Sequence, residues 1–419
     1  MTLALEKTER LRYGDAGMRR VRLGLFAAGL ATFALLYVPQ PLLPALSSAF
    51  GASPAAASLA MSAGTFALAV AIIPVSSLSE VRGRREVMTV SVLAAAVLGL
   101  IAPLSPSLPV LIGIRVLQGF ALAGVPATAM AYLAEEVDRA DLGRAMGLYI
   151  AGNAIGGLSG RVVAGILAEH GGWRVATAGV SALALVCAVA FAVLLPRSRF
   201  FTPSPPRLCA LGATLGRNLA DTGLLRLYLI GFALMGAFVT VYNYLTFRLS
   251  AAPFGLSASV IGALFTVYLA GTWSSTLAGR LADRAGRRVV LAAGVTVAIA
   301  GVALTLPSSL ALIVAGLVAL TAGFFAAHSV ASGWVGGLAP VAPAQASALY
   351  LCLYYIGSSV AGSAGGIFYA RGGWPPTAAF AAALLAVALA SAASLRRRHP
   401  RGPAIGPGHW AVNPAQVRP

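Results

Sequence analysis

Apolar residues in this chain run in blocks of about 20, the length at which a helix crosses the hydrocarbon core of a bilayer, with short polar stretches between them. The blocks fall at 23–46, 55–79, 87–104, 108–134, 144–168, 175–195, 224–246, 258–279, 289–306, 310–337, 347–369 and 376–394. This pattern predicts an all-α polytopic membrane protein with twelve transmembrane helices. An even number of crossings puts both termini on one side.

The cations orient the spans. Of the 30 Lys and Arg residues, 25 lie in segments on the side of the termini, and three, Arg174, Arg248 and Arg371, lie in the opposite loops. The remaining two, Arg115 and Arg161, are inside spans. Cytoplasmic loops carry the excess of Lys and Arg, so both termini are expected in the cytoplasm, with the chain spanning a cytoplasmic (inner) membrane.

Composition removes the soluble classes. Hydrophobic residues make up 58% of the 419 and charged residues only 10%, where soluble domains carry about 25% charged. The formal charge of +18 is spread over short loops and forms no contiguous basic face to track phosphates, so no nucleic-acid partner is expected. Cys187 and Cys352 lie in spans and Cys209 in a connection. Neither a disulfide framework nor metal-ligand spacing results, and no metal and no cofactor is expected. The stretch before the first block is too long and too charged for a cleavable signal peptide.

The longest connection, from Pro196 to Asp221, contains Pro203, Pro205 and Pro206 and reads as a linker between two six-span halves. The expected organisation is an N-terminal cytoplasmic segment (1–22), a six-helix bundle (23–195), the linker (196–223), a second six-helix bundle (224–394) and a cytoplasmic tail (395–419). That tail begins Arg396-Arg397-Arg398 and turns Pro- and Gly-rich, so it reads as disordered.

The halves repeat. Glu80, Gly83, Arg84 and Arg85 after the second block match Asp283, Gly286, Arg287 and Arg288 after the eighth at an offset of 203 residues. Gly152, Gly156 and Gly160 match Gly357, Ala361 and Gly365 at an offset of 205. Gly-Gly-Trp ends both hairpins, at Trp173 and Trp374. Parallel six-span repeats, related by an axis along the membrane normal, are a transporter design.

The loop signature at 279–288 and the run Arg115-Val-Leu-Gln118-Gly119 on the fourth block resemble signatures of the major facilitator superfamily. The likeness is closest to its efflux-type proton antiporters, the drug- and arabinose-efflux-like branch. The resemblance implies two pseudo-symmetric six-helix bundles. It implies that Glu80, Gly83, Arg84, Arg85, Asp283, Gly286, Arg287 and Arg288 latch the cytoplasmic ends in the outward-facing state. It also implies that Gly152, Asn153, Gly156, Gly157 and Gly160 form an antiporter signature packing on the eighth span, with Asn153 where the family has proline.

Ionisable residues inside a membrane are expensive and usually functional. The blocks hold three, Arg115, Arg161 and His328, and no deep Asp or Glu. The absence of a carboxylate favours an anionic or neutral solute over a cationic one. Histidine titrates closest to neutrality, so His328 is the candidate proton carrier, with Arg115 supplying a field if the two approach; Gly119-Phe120 and Gly323-Phe324, offset by 204 residues, suggest that both face the centre. For Arg115, a strut bonding backbone carbonyls competes with that role. For Arg161, snorkelling toward the headgroups is the favoured reading. Tyr37, Gln40, Gln118, Asn243, Tyr268 and Tyr354 are candidate cavity residues, with Trp273 among the further aromatics, and Tyr37–Pro41 is expected to break the first span.

These blocks contain no nucleophile–base pair and no acid cluster, so an enzyme is not expected. The expected function is secondary active transport of a small-molecule substrate by alternating access, as proton-coupled efflux. Proton-coupled uptake of an anionic or neutral solute, and a channel, stand as alternatives. The expected partners are the solute, protons and the lipid bilayer, with the protein acting as a monomer.

Overall fold

Helices make up nearly all of the regular structure in the computed structural model, which describes residues 10–203, 208–339 and 342–395. The expected disordered tail from Arg396 onward, and residues 1–9, lie outside the described residues. Eleven described helices are long and apolar enough to cross a membrane. One of them, Leu142–Leu194, has 53 residues, about 80 Å at roughly 1.5 Å per residue, against a hydrocarbon core of about 30 Å. It is two crossings joined at Gly172, whose φ of 69° and ψ of −176° leave the helical region. Its counterpart Gly373 has φ 68° and divides Pro343–Gly372 from Trp374–Ser394. The count of twelve expected from the pattern is therefore met.

The other spans are Ala16–Tyr37 continued by Leu43–Phe50, Pro54–Arg82, Arg84–Ile101, and Leu108–Leu122 continued by Gly124–Glu136. In the second half they are Thr222–Ser250, Ala258–Leu264 continued by Tyr268–Ala285, Arg287–Leu304 and Leu310–Leu338. A further helix, Leu208–Ala220, lies inside the expected linker.

The first span breaks where expected. Pro39 and Pro41 have no N–H to return to the carbonyls of Leu35 and Tyr37, and the chain passes through a 3-10 turn at Gln40–Leu42 before resuming as a helix. Gly83 and Gly286 show the repeat at backbone level. Their φ values are 105° and 91° and their ψ values 140° and 142°. Each N–H donates to a carbonyl of the preceding helix at 3.1 Å, Ser79 and Ala282 respectively. Such φ values favour glycine, which lacks the Cβ that would clash.

Packing inside each half rests on the glycine stripes. A Cβ added at Gly152, Gly156 or Gly160 would overlap the first-span backbone at Phe26, Leu30 and Ala34. In the second half, Gly357 meets the backbone of Phe232 on the seventh span, Ala361 meets Gly236, and Gly365 meets the side chain of Thr240. This corrects the partner implied by the resemblance: the stripe seats the fifth span on the first, within one half. The fifth span meets the eighth elsewhere, where Gly165 opposes Ala258 and Gly262.

The halves meet toward the end that carries few arginines. The hydrogen bonds that join them include Gln40 to Asn243, Thr65 with Ser359, and Ser257 and the Ser259 N–H to Glu169. Gly366 against Ala55 adds close packing at that end.

Candidate functional site

Arg115 is buried, and its guanidinium is spent on acceptors. Nε donates to Ala60 O at 3.0 Å, Nη1 to Leu35 O at 3.0 Å and Nη2 to Leu36 O at 2.8 Å. Nη1 also bonds Gln118 Oε1, whose amide donates onward to Ala95 O at 2.8 Å. Leu35 O is the carbonyl that Pro39 leaves without a partner, so Arg115 stands in for the missing proline N–H. This is the strut geometry. Neither Arg115 nor Gln118 contacts His328 among the described interactions.

Arg161 does not snorkel; it is 2% exposed. Its aliphatic stem runs inward because Gly157, one turn earlier, leaves the space: a Cβ there would lie 3.3 Å from Arg161 Nη1 and 3.7 Å from the Tyr37 ring. Nη1 donates to Gly157 O at 2.6 Å and Nε to Gln40 Oε1 at 2.7 Å. The guanidinium carbon lies 3.9 Å from the ring centroid of Tyr37, 4.7 Å from Tyr268 and 5.1 Å from Phe265. Gln40 Nε2 in turn donates to Asn243 Oδ1 at 2.9 Å. The first residue belongs to the first half and the second to the other, so this hydrogen bond crosses the seam between them. The chain Arg161–Gln40–Asn243 thus spans both halves. Arg161 escaped the list of expected cavity residues, although Tyr149, Asn153, Gly157 and Arg161, spaced by four, carry the signal of one polar helix line.

An aromatic wall leads away from Arg161 through the second half. Tyr268 meets Phe238 edge-on at 5.4 Å, Phe238 stacks on Phe324 at 4.0 Å, and Phe324 lies parallel to the His328 ring at 5.8 Å. His328 Nδ1 is 3.0 Å from Tyr350 Oη, and its ring is 4.7 Å from Tyr354. Tyr37, Gln40, Asn243, Tyr268 and Tyr354 are therefore brought together, while Gln118 lies behind them with Arg115. Among the described residues Arg115 and His328 make no contact with each other; Trp273 is 70% exposed, and Phe120 is 47% exposed where its counterpart Phe324 is 1% exposed. Repeat-equivalent positions share a helix address but not a neighbour.

The loop motifs occupy the arginine-rich end. Arg84 pairs with Glu135 at 3.1 Å and donates to Ser79 Oγ at 2.6 Å. Arg85 donates to Leu195 O at 2.8 Å and Ala192 O at 3.0 Å, and Arg288 to Ala393 O. Glu80 and Asp283 fall in the last turns of their helices and make no ion pair or hydrogen bond among the described residues. Among the described residues neither acid pairs with a motif arginine in this conformation. A cleft of about 1100 Å³ beside Gly286, Arg287 and Arg288 opens at the same end.

Residues 25–252 and 227–416 match the family model of the Major Facilitator Superfamily. The chain is 43% identical to the uncharacterized MFS-type transporter YybF of Bacillus subtilis (strain 168), over 90% of this chain and 94% of that protein. It is 44% identical to the inner membrane transport protein YnfM of Escherichia coli (strain K12), over 93% of each. The crystal structure of a D-xylose-proton symporter superposes with a TM-score of 0.73 over 91% of this chain and 98% of that one, at 15% identity, a likeness of fold.

Proposed function

Because the chain belongs to the Major Facilitator Superfamily of transporters, we propose that it exports a small solute across the cytoplasmic membrane in exchange for protons, by alternating access. The observation that carries this reading is the one-sided closure of the molecule. Among the described residues the hydrogen bonds between the halves lie toward the arginine-poor end, while Glu80 and Asp283 at the other end make no ion pair or hydrogen bond. With the arginine-rich end in the cytoplasm, this is an inward-facing transporter whose cytoplasmic latch is released. In the outward-facing state Glu80 and Asp283 take up the motif arginines or a helix N-terminus, which relieves a negative charge held at a helix C-terminus.

Export rather than uptake is supported by the motif resemblance, and proton exchange by His328, the one histidine deep in the spans. The test is transport in inverted membrane vesicles with an imposed proton gradient, interior acid. Export predicts solute accumulation in these vesicles and collapse of the gradient on adding solute. Accumulation only in right-side-out vesicles, driven by an inward proton gradient, assigns uptake instead.

A further inference from the structure

Arg161 is a buried cation with no counter-ion. Among the described residues no carboxylate reaches it, and the sequence holds none deep in any span. Two of its nitrogens are bound to neutral oxygens, and Nη2 makes no hydrogen bond among the described residues. The Tyr268 ring lies against the guanidinium, and its hydroxyl is buried without a partner; at the far end of the Gln40 bridge the Asn243 Nδ2 amide and the Ser62 hydroxyl are buried without one too. Asn243 is fully buried, and a Cβ added at Gly362 would lie 3.6 Å from both its Nδ2 and Ser62 Oγ.

This set has a sign. Arg161 Nη2 and Asn243 Nδ2 can only donate, and the Tyr268 and Ser62 hydroxyls are free to donate. Buried donors are expected to be satisfied, and a buried charge needs compensation. A neutral partner satisfies the hydrogen bonds and leaves the charge, whereas an anion satisfies both. A carboxylate matches the planar fork of a guanidinium. The flanking rings of Tyr37, Phe265 and Tyr268 present apolar faces to the guanidinium.

We infer that Arg161, with Asn243 and Tyr268, binds the carboxylate of an organic acid whose body is planar and apolar, and that this acid class is the transported solute. The inference rests on the transporter reading above. Its recognition elements come from both halves, Arg161 from the first and Asn243 and Tyr268 from the second. Opening of the arginine-poor end parts Arg161 from the rings of Phe265 and Tyr268 and breaks the Gln40–Asn243 bond, so the bound acid is released as its donors separate.

The test is thermal unfolding of the purified full-length chain in detergent. Benzoate and cinnamate are compared with benzamide and cinnamamide, which keep the shape and lose the charge. The expected result is a dose-dependent rise in melting temperature with the acids and none with the amides. Arg161→Gln should abolish the acid-specific shift. Tyr268→Phe, which keeps the ring, should weaken the apparent affinity by about three- to tenfold, the cost of one hydrogen bond. If Arg161→Gln does not fold, Tyr268→Phe and Arg161→Lys carry the test, the lysine retaining a weaker preference for acids. Equal shifts with acids and amides, no shift with either, or an acid shift that survives Arg161→Gln overturns the inference. Acid-specific binding without transport in vesicles overturns the transport reading and leaves the anion site standing. Transport of neutral solutes without acid-specific binding does the reverse.

Discussion

Arg115 supplies hydrogen-bond donors at the turn where Pro39 withholds one, and it does so from a helix 80 residues away in sequence. A lysine there keeps the charge but loses the fork that reaches Leu35, Leu36 and Ala60 together. Charged hydrogen bonds contribute about 1.5–3 kcal/mol each, so Arg115→Lys should lower unfolding stability by about 3 kcal/mol, read as a fall in melting temperature. A melting temperature equal to wild type rejects the strut. His328 lies apart from that strut, against Tyr350 and Tyr354. His328→Ala is expected to abolish proton-driven accumulation while sparing solute counterflow, both measured in reconstituted vesicles. Proton-driven accumulation that persists in this variant moves the coupling elsewhere. At this scale the sequence was partly legible. Pro39 announces an orphaned carbonyl, and Arg115 was one of two intramembrane cations able to answer it. The burial of Arg161 was not legible, because it depends on Gln40 arriving from 121 residues away and on ring faces supplied by the other half.

Helix against helix, the glycine stripe states how near two backbones come but not whose they are. Gly152, Gly156 and Gly160 mark a close approach that any reader of the sequence can find. That the partner is the first span follows only from the fold. Leucine at position 156 would be driven into the backbone of Leu30, and overpacking a core costs about 1–3 kcal/mol even where side chains can yield. Gly156→Leu should therefore reduce the yield of folded protein sharply, while Gly147→Leu, where a Cβ meets nothing within 4 Å, should leave it near wild type. Comparable yields for the two variants, measured by size-exclusion chromatography in detergent, would remove the stripe from the packing. Twelve crossings were legible because apolar run length and bilayer thickness are one quantity seen twice. The break of the fourth span at Ala123 has its signal in Pro126, which returns no N–H to Leu122, whereas the break of the eighth at Phe265–Val267 carries no proline and was not legible.

The molecule as a whole is held shut at one end by helix packing and few hydrogen bonds among the described residues, and one of those can be made covalent. Thr65 and Ser359 Oγ atoms are 2.7 Å apart across the halves. In a background lacking Cys187, Cys209 and Cys352, a Thr65→Cys, Ser359→Cys pair should crosslink under oxidation, stop transport and recover on reduction. Transport that continues through the crosslink contradicts alternating access at this interface. At the opposite end, Asp283→Asn should lower transport several-fold with insertion intact, and wild-type rates in a well-expressed variant would remove Asp283 from the latch. The latches themselves are unequal. Arg84 has Glu135, whereas the position 204 residues on is Ala339, so the second motif keeps its charge uncompensated at home. The Gln40–Asn243 bond carries a different lesson. Gln40 holds two bonds at once, accepting from Arg161 within its own half and donating to Asn243 across the seam. Parting the halves therefore takes from the guanidinium a fixed partner as well as taking a bond from the seam. A single neutral side chain ties the closure of that end to the charge buried behind it.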